Sequence, residues 1–258
     1  MPRFRLRLEY NGTRYSGWQI QANARTVQGT IAAALVEILR TDRFELYGAG
    51  RTDAGVHALG QVAHLDTAVQ LPPRTLERRL NDALPSDINI LEVALTDRRF
   101  HARRSAVARS YLYQIARRRT AFGKPFVWWI REPLDVARMR EAAGRFAGLH
   151  DFRSFTDEDP EAKSTRVLIE RLQIVERGAL ILIRLEGSHF LWKMARRIVG
   201  VLAAAGRGEI GPDDIARWLA EPSPEPARLT APAAGLFLER VYYPGEPRLG
   251  EPEGILNL

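Results

Sequence analysis

Residues 3–10, RFRLRLEY, alternate Arg3, Arg5, Arg7 and Glu9 with Phe4, Leu6, Leu8 and Tyr10, the period of a half-buried strand. The turn-rich NGTRYSG follows. From Thr26 onward Val27, Ile31, Leu35 and Ile38 recur at helical spacing, which predicts an amphipathic helix over 27–40 capped by Thr26. A short strand near 43–47, a glycine-rich loop and a strand near 61–66 come next. PPRTLERRLNDALP opens on prolines and sets Leu76, Leu80 and Leu84 on one helical face. Strands are expected at 88–95 and 109–117, the latter with Tyr111, Tyr113 and Ile115 on one side.

The second half has a similar order. A helix is expected from Asp135 to Phe146, then strands at 166–176 and 179–186 around Arg177-Gly178. A long helix from Ser188 to about Ala205 carries Phe190, Met194, Ile198 and Val201 as a core stripe, and a further helix spans 212–220. EPSPEPARLTAPAAG interrupts the pattern before LFLERVYY closes as a strand, and Trp128 and Trp129 are read as core. Strands and helices mixed in both halves, with hairpins, predict an α+β fold with mainly antiparallel sheets flanked by helices. The chain divides near residue 105 into domains of 1–105 and 106–258, with no visible sequence repeat.

The 258 residues are 45% hydrophobic and 27% charged, ordinary globular material. No stretch approaches the roughly 18 consecutive apolar residues of a membrane helix. MPRFRLRLEY lacks the apolar core of a signal peptide, so a cytoplasmic protein without membrane association is expected. The absence of cysteine excludes disulfides, zinc ribbons and thiol nucleophiles. The five histidines, His57, His64, His101, His150 and His189, show no metal-ligand spacing, and no metal is expected.

Charge changes the picture. There are 38 Lys plus Arg against 31 Asp plus Glu, a net +7, and only Lys124, Lys163 and Lys193 of the 38 are lysine. A high-GC genome or a thermostable host accounts for most of that bias, but net basicity points to a polyanionic partner. Arginine's planar fork matches phosphate bidentately and stacks on bases. Arg98, Arg99, Arg103, Arg104, Arg109, Arg117, Arg118 and Arg119 are interleaved with Phe100, Tyr111 and Tyr113, as unstacked RNA bases and their phosphates require.

The candidate chemistry sits in GAGRTDAGVHALG, residues 48–60, where Gly48, Gly50, Gly55 and Gly60 surround Arg51-Thr52-Asp53. The run nearly spells a dinucleotide-binding fingerprint, but Asp53 replaces the third glycine and a strand follows instead of a helix. No GKS or GKT exists for a phosphate-binding P-loop. Few acids lie near Asp53 in sequence, which weakens a metal site and a paired-carboxylate glycosidase. A lone carboxylate beside an arginine stays ionised even in a dry pocket and can attack carbon. Asp53 is therefore a nucleophile candidate.

GAGRTDAGVHALGQVAH resembles the catalytic motif of the tRNA pseudouridine synthase A family. YNGTRYSGWQIQ, TVQGTI, NDALPSDI, FHARRSA, Tyr111-Leu112-Tyr113, HDFRSF, GSHFLWKMARRIVG and APAAGLFL extend the resemblance over residues 10–238. Ala195 stands where the family usually has valine, and Arg104 where an aromatic often follows HAR. The resemblance implies isomerisation of uridine to pseudouridine in the anticodon stem-loop of tRNA, by a homodimer, without cofactor or metal. It implies two similar RNA-recognition-like halves joined around a central basic cleft, the pseudouridine synthase fold. By motif position it makes Asp53 the nucleophile, packs Tyr111 on the target uracil, and makes Arg196 the basic partner of the aspartate. Arg51 would hold the flipped nucleotide, with His57, Arg103 and Arg109 as further substrate contacts, and the glycines would let RNA approach the carboxylate. A non-catalytic tRNA chaperone of this fold would be expected to have lost Asp53 or Tyr111. A nucleoside hydrolase would need a second acid or a histidine base for its water.

Overall fold

The computed structural model describes residues 2–256. In chain order the elements are β1 (Arg3–Tyr10), α1 (Val27–Leu39), β2 (Phe44–Gly48), β3 (His57–Thr67), α2 (Pro73–Ala83), β4 (Ile88–Thr96), β5 (Ala108–Ala116), β6 (Trp128–Trp129) and α3 (Val136–Ala143). They continue with β7 (Gly148–Asp151), β8 (Arg166–Arg177), β9 (Leu180–Gly187), α4 (Met194–Gly206), α5 (Pro212–Ala220), α6 (Glu225–Arg228) and β10 (Leu236–Tyr242). The chain forms two compact units, one of residues up to Val107 with Phe237–Glu246, the other of Ala108–Leu236 and the segment from Pro247.

In the first unit the strands run in the order β4-β1-β3-β10, with β2 also antiparallel to β3. Phe4, Leu6 and Leu8 are sealed while Arg3, Arg5 and Arg7 stay partly open, so one sheet face is packed, as the alternation predicts. Helices α1 and α2 cover that face, their ends set by local chemistry. The Thr26 hydroxyl accepts from the Gly29 N–H at the start of α1, and α2 buries Leu76 and Leu80 completely. Strand β3 begins at His57, four residues ahead of the expected strand, because His57 and Ala58 pair in parallel with Phe237 and Leu238.

In the second unit β5, β9, β8 and β7 follow one another antiparallel. Strands β5 and β9 are buried along their whole length, and α3 packs on β8 and α4. Three expectations are corrected here. Helix α4 starts at Met194, not Ser188: the Ser188 N–H bonds back to the Leu168 carbonyl, and Lys193 turns the chain with φ +63°. Strand β7 was not expected; four residues carry too little periodicity, and it exists through pairing with β8. Trp128 and Trp129 are not core, since Trp129 is 43% exposed and Trp128 only half-buried, edge-on to Tyr113.

Candidate active site

Residues 49–56 connect β2 to β3 and carry Arg51, Thr52 and Asp53. The buried Gln61 of β3 donates its amide to the Gly50 carbonyl at 2.9 Å, and Ala49 donates to Val62 at 2.7 Å. The Thr52 hydroxyl meets the Tyr10 hydroxyl at 2.8 Å, while the Thr52 carbonyl accepts from the Trp18 N–H at 3.1 Å. Val56 N–H bonds the Asp53 carbonyl at 3.1 Å, closing a turn in which Gly55 takes φ +78°. Gly55 N–H reaches the Tyr15 carbonyl at 3.2 Å, and His57 Nδ1 accepts from the Gly12 N–H at 3.1 Å. The backbone on both sides of Asp53 is thereby fixed.

The segment after β1 supplies the second wall of this loop. Gly17 holds φ +89°, and a Cβ there would lie 2.5 Å from the Thr52 carbonyl oxygen, so only glycine fits. Tyr15 donates to Asp87 at 2.5 Å and lies under the Arg25 guanidinium. Burial, reinforced by that Asp87 bond, pushes the Tyr15 hydroxyl up to about 12. Packing accounts for two glycines of GAGRTDAGVHALG. A side chain at Gly48 would strike the Trp18 ring and one at Gly60 the Glu239 carbonyl, while one at Gly50 would meet no atom within 4 Å. Tyr10, Trp18, Thr52 and Gln61 hold the aspartate loop, yet nothing in their local pattern announced that role.

Asp53 is half-buried and Arg51 exposed, whereas His57 is buried and stacked on Phe237 at 4.7 Å. These three and the exposed Arg103 belong to the first unit.

Tyr111, Arg109 and Arg196 belong to the second unit. Tyr111 lies on β5, 8% exposed, with Phe190 edge-on at 4.8 Å. Arg109 is buried and donates to the Ser188 carbonyl at 2.9 Å. On α4 the two neighbouring arginines separate. Arg197, 4% exposed, pairs with Asp157 and reaches the Ser154 carbonyl at 3.3 Å; the half-buried Arg196 donates Nε to the Ala231 carbonyl at 2.7 Å. Lys193 also bonds Asp157, at 2.7 Å, and with Arg197 holds that carboxyl below its ordinary range. Arg117 is tied to Glu176 and to the Gly178 carbonyl, both at 2.6 Å, whereas Arg98, Arg99, Arg104, Arg118 and Arg119 are solvated.

An α+β chain of two mainly antiparallel units with a net charge of +7 fits the class of proteins directed at nucleic acid. The chain is a member of the tRNA pseudouridine synthase family: the model so described matches residues 8–103 and 142–244. Both the Asp53 loop and Arg196 fall inside the matched segments, and Arg109 and Tyr111 fall between them. Among curated relatives, the tRNA pseudouridine synthase A of Nitrobacter hamburgensis is 42% identical over 246 residues, 94% of this chain and 100% of the relative. Those of Pseudothermotoga lettingae and Exiguobacterium sibiricum are 40% and 37% identical, across 94% and 95% of this chain and 100% and 98% of theirs.

Proposed function

We propose that this chain, a tRNA pseudouridine synthase and thus an isomerase of uridine, acts on the anticodon stem-loop with Asp53 as the reacting carboxylate and no cofactor or metal. The observation that carries the reading is the fixed loop. Thr52 and Gly55 are tied to Tyr10, Trp18 and Tyr15, so the half-buried Asp53 is presented on a backbone that has no need to reorganise during the reaction.

The reaction breaks the bond from C1′ to N1, turns the detached uracil, and joins its C5 to C1′. N1 takes up a proton and the C5 hydrogen leaves to solvent. The ionised Asp53 stabilises the electron-poor C1′, by a covalent bond or by its charge alone, and both routes release the C5 hydrogen. Tyr111 packs on the target base, Arg196 supplies positive charge to the reaction, and Arg51 holds the flipped nucleotide, with His57, Arg103 and Arg109 supporting the bound RNA. Flipping the base costs a few kcal/mol, which favours an intact stem-loop over free uridine. The working form is a cytoplasmic homodimer.

The test uses tRNA carrying tritium at C5 of its uridines. Isomerisation releases label to water in step with turnover, and EDTA leaves the rate unchanged. Asp53→Asn abolishes release while tRNA affinity stays within a few fold. Free uracil would instead mark a hydrolase, and binding without release by the wild type would mark a chaperone. Normal turnover by the variant would remove Asp53 from the chemistry.

A further inference from the structure

The sheet face of the first unit opposite α1 and α2 carries an aromatic cluster that the proposed reaction leaves unused. Tyr47 of β2 lies across from His64 of β3, their rings stacked at 5.3 Å and 21°. His101, from the loop after β4, completes the group at 4.7 Å from His64 and 5.9 Å from Tyr47.

Backbone hydrogen bonds lock the two imidazoles. Ala102 N–H donates to His64 Nδ1 at 3.2 Å, and the Arg103 and Arg104 N–H groups donate to His101 Nδ1 at 3.2 and 3.3 Å. Burial, then the neighbouring His101, depresses His64 to about 4. Burial, then Arg104, lowers His101 as well. Two neutral, immobilised rings thus back a tyrosine that is 47% exposed. Arg104, exposed and on the same loop as His101, lies close enough to act on both imidazoles, and among the described residues it forms no ion pair. A stable core has no use for a half-solvated ring beside an unpaired cation. An unstacked nucleobase with its phosphate does, because any base has a face to stack and the phosphate accepts from the guanidinium.

We propose that Tyr47, backed by His64 and His101, is a stacking platform for an unpaired nucleotide of the bound RNA other than the reacting uridine, with Arg104 on an adjacent phosphate. The proposal rests on RNA being the substrate.

The experiment measures binding of labelled, in vitro transcribed tRNA by fluorescence anisotropy over a salt series, with C5 tritium release run in parallel. Truncating a base-stacking ring removes about 1–3 kcal/mol, so Tyr47→Ala weakens binding roughly 5- to 150-fold at fixed salt. Tyr47→Phe keeps the ring and stays within about twofold. Tyr47→Ala leaves the slope of log affinity against log salt unchanged, whereas Arg104→Gln lowers it by about 0.7–0.9, the share of one phosphate. Because Tyr47 is exposed at a strand surface, far-UV circular dichroism of Tyr47→Ala should match the wild type. Equal affinity of Tyr47→Ala and wild type, or equal losses in Tyr47→Ala and Tyr47→Phe, overturns the platform. A wild type that binds tRNA without releasing tritium overturns the isomerase reading while the Tyr47 series still decides the platform. A wild type that binds no RNA overturns both.

Discussion

Arg196 and Arg197 are adjacent on α4 and opposite in circumstance. Arg197 is sealed against Asp157 and Ser154, so its loss is a folding event. Because Asp157 keeps Lys193 as a partner and is itself partly solvated, Arg197→Met should lower stability by about 1–3 kcal/mol, less than a fully buried pair would. Arg196→Met should cost at least tenfold in tritium release with a smaller change in melting temperature. Calorimetry beside the activity assay separates the two, and an Arg197→Met protein of unchanged stability without activity would transfer the role. His64 gives a pH dependence. Unfolded, its pKa is 6.5; folded, about 4, so between these values the unfolded chain binds a proton that the folded chain rejects. Its contribution is therefore complete above 6.5 and is lost as pH falls towards 4, on the order of 3 kcal/mol in full. A melting-temperature series over that window should flatten in His64→Asn, whose side-chain oxygen replaces Nδ1 as acceptor for Ala102; identical slopes would refute the assignment.

The β2–β3 connection and the segment after β1 act as one element, although α1 and β2 lie between them and Gly17 is 35 positions from Thr52 in the chain. Their contact is backbone to backbone, which makes it sensitive to single methyl groups. Gly17→Ala forces a side chain into positive φ and against the Thr52 carbonyl, and should destabilise by about 1–3 kcal/mol. Gly50→Ala meets no atom within 4 Å and should leave the melting temperature within about a degree. Its kinetics are then informative: a raised KM at unchanged stability would show that RNA occupies the open space above Gly50. If Gly17→Ala melts like the wild type, the loop is less constrained than its hydrogen bonds imply.

Net charge belongs to the molecule as a whole. With +7 overall, tRNA binding should weaken steeply with salt; neutralising roughly six phosphates gives a log–log slope near −5. A flat response would exclude a phosphate-dominated interface. The eight-arginine set does not contribute evenly, because Arg117 is held by Glu176 and Arg109 by the Ser188 carbonyl. Arg118 and Arg119 are exposed, and replacing both with glutamine should lower the slope by one to two units without changing which uridine is modified, since phosphate contacts carry no sequence information.

What was legible in the chain was whatever local spacing encodes. The Phe4-Leu6-Leu8 alternation, the Thr26 cap, the Leu76-Leu80 stripe and the glycine-bounded Asp53 each report on neighbours within a few residues, and from them follow an α+β fold and a candidate carboxylate to test. Other features depend on residues far away along the chain. His57 joins β3 because Phe237 lies beside it, and the chain at Ser188 stays out of α4 because Leu168 takes its N–H. Arg197 is structural because Asp157 waits for it forty residues upstream, and Tyr47 becomes part of a ring cluster only when the β2–β3 register brings His64 across from it. Periodicity states which face of an element must be buried; the identity of the surface that buries it is a property of long-range contacts, which no local pattern contains.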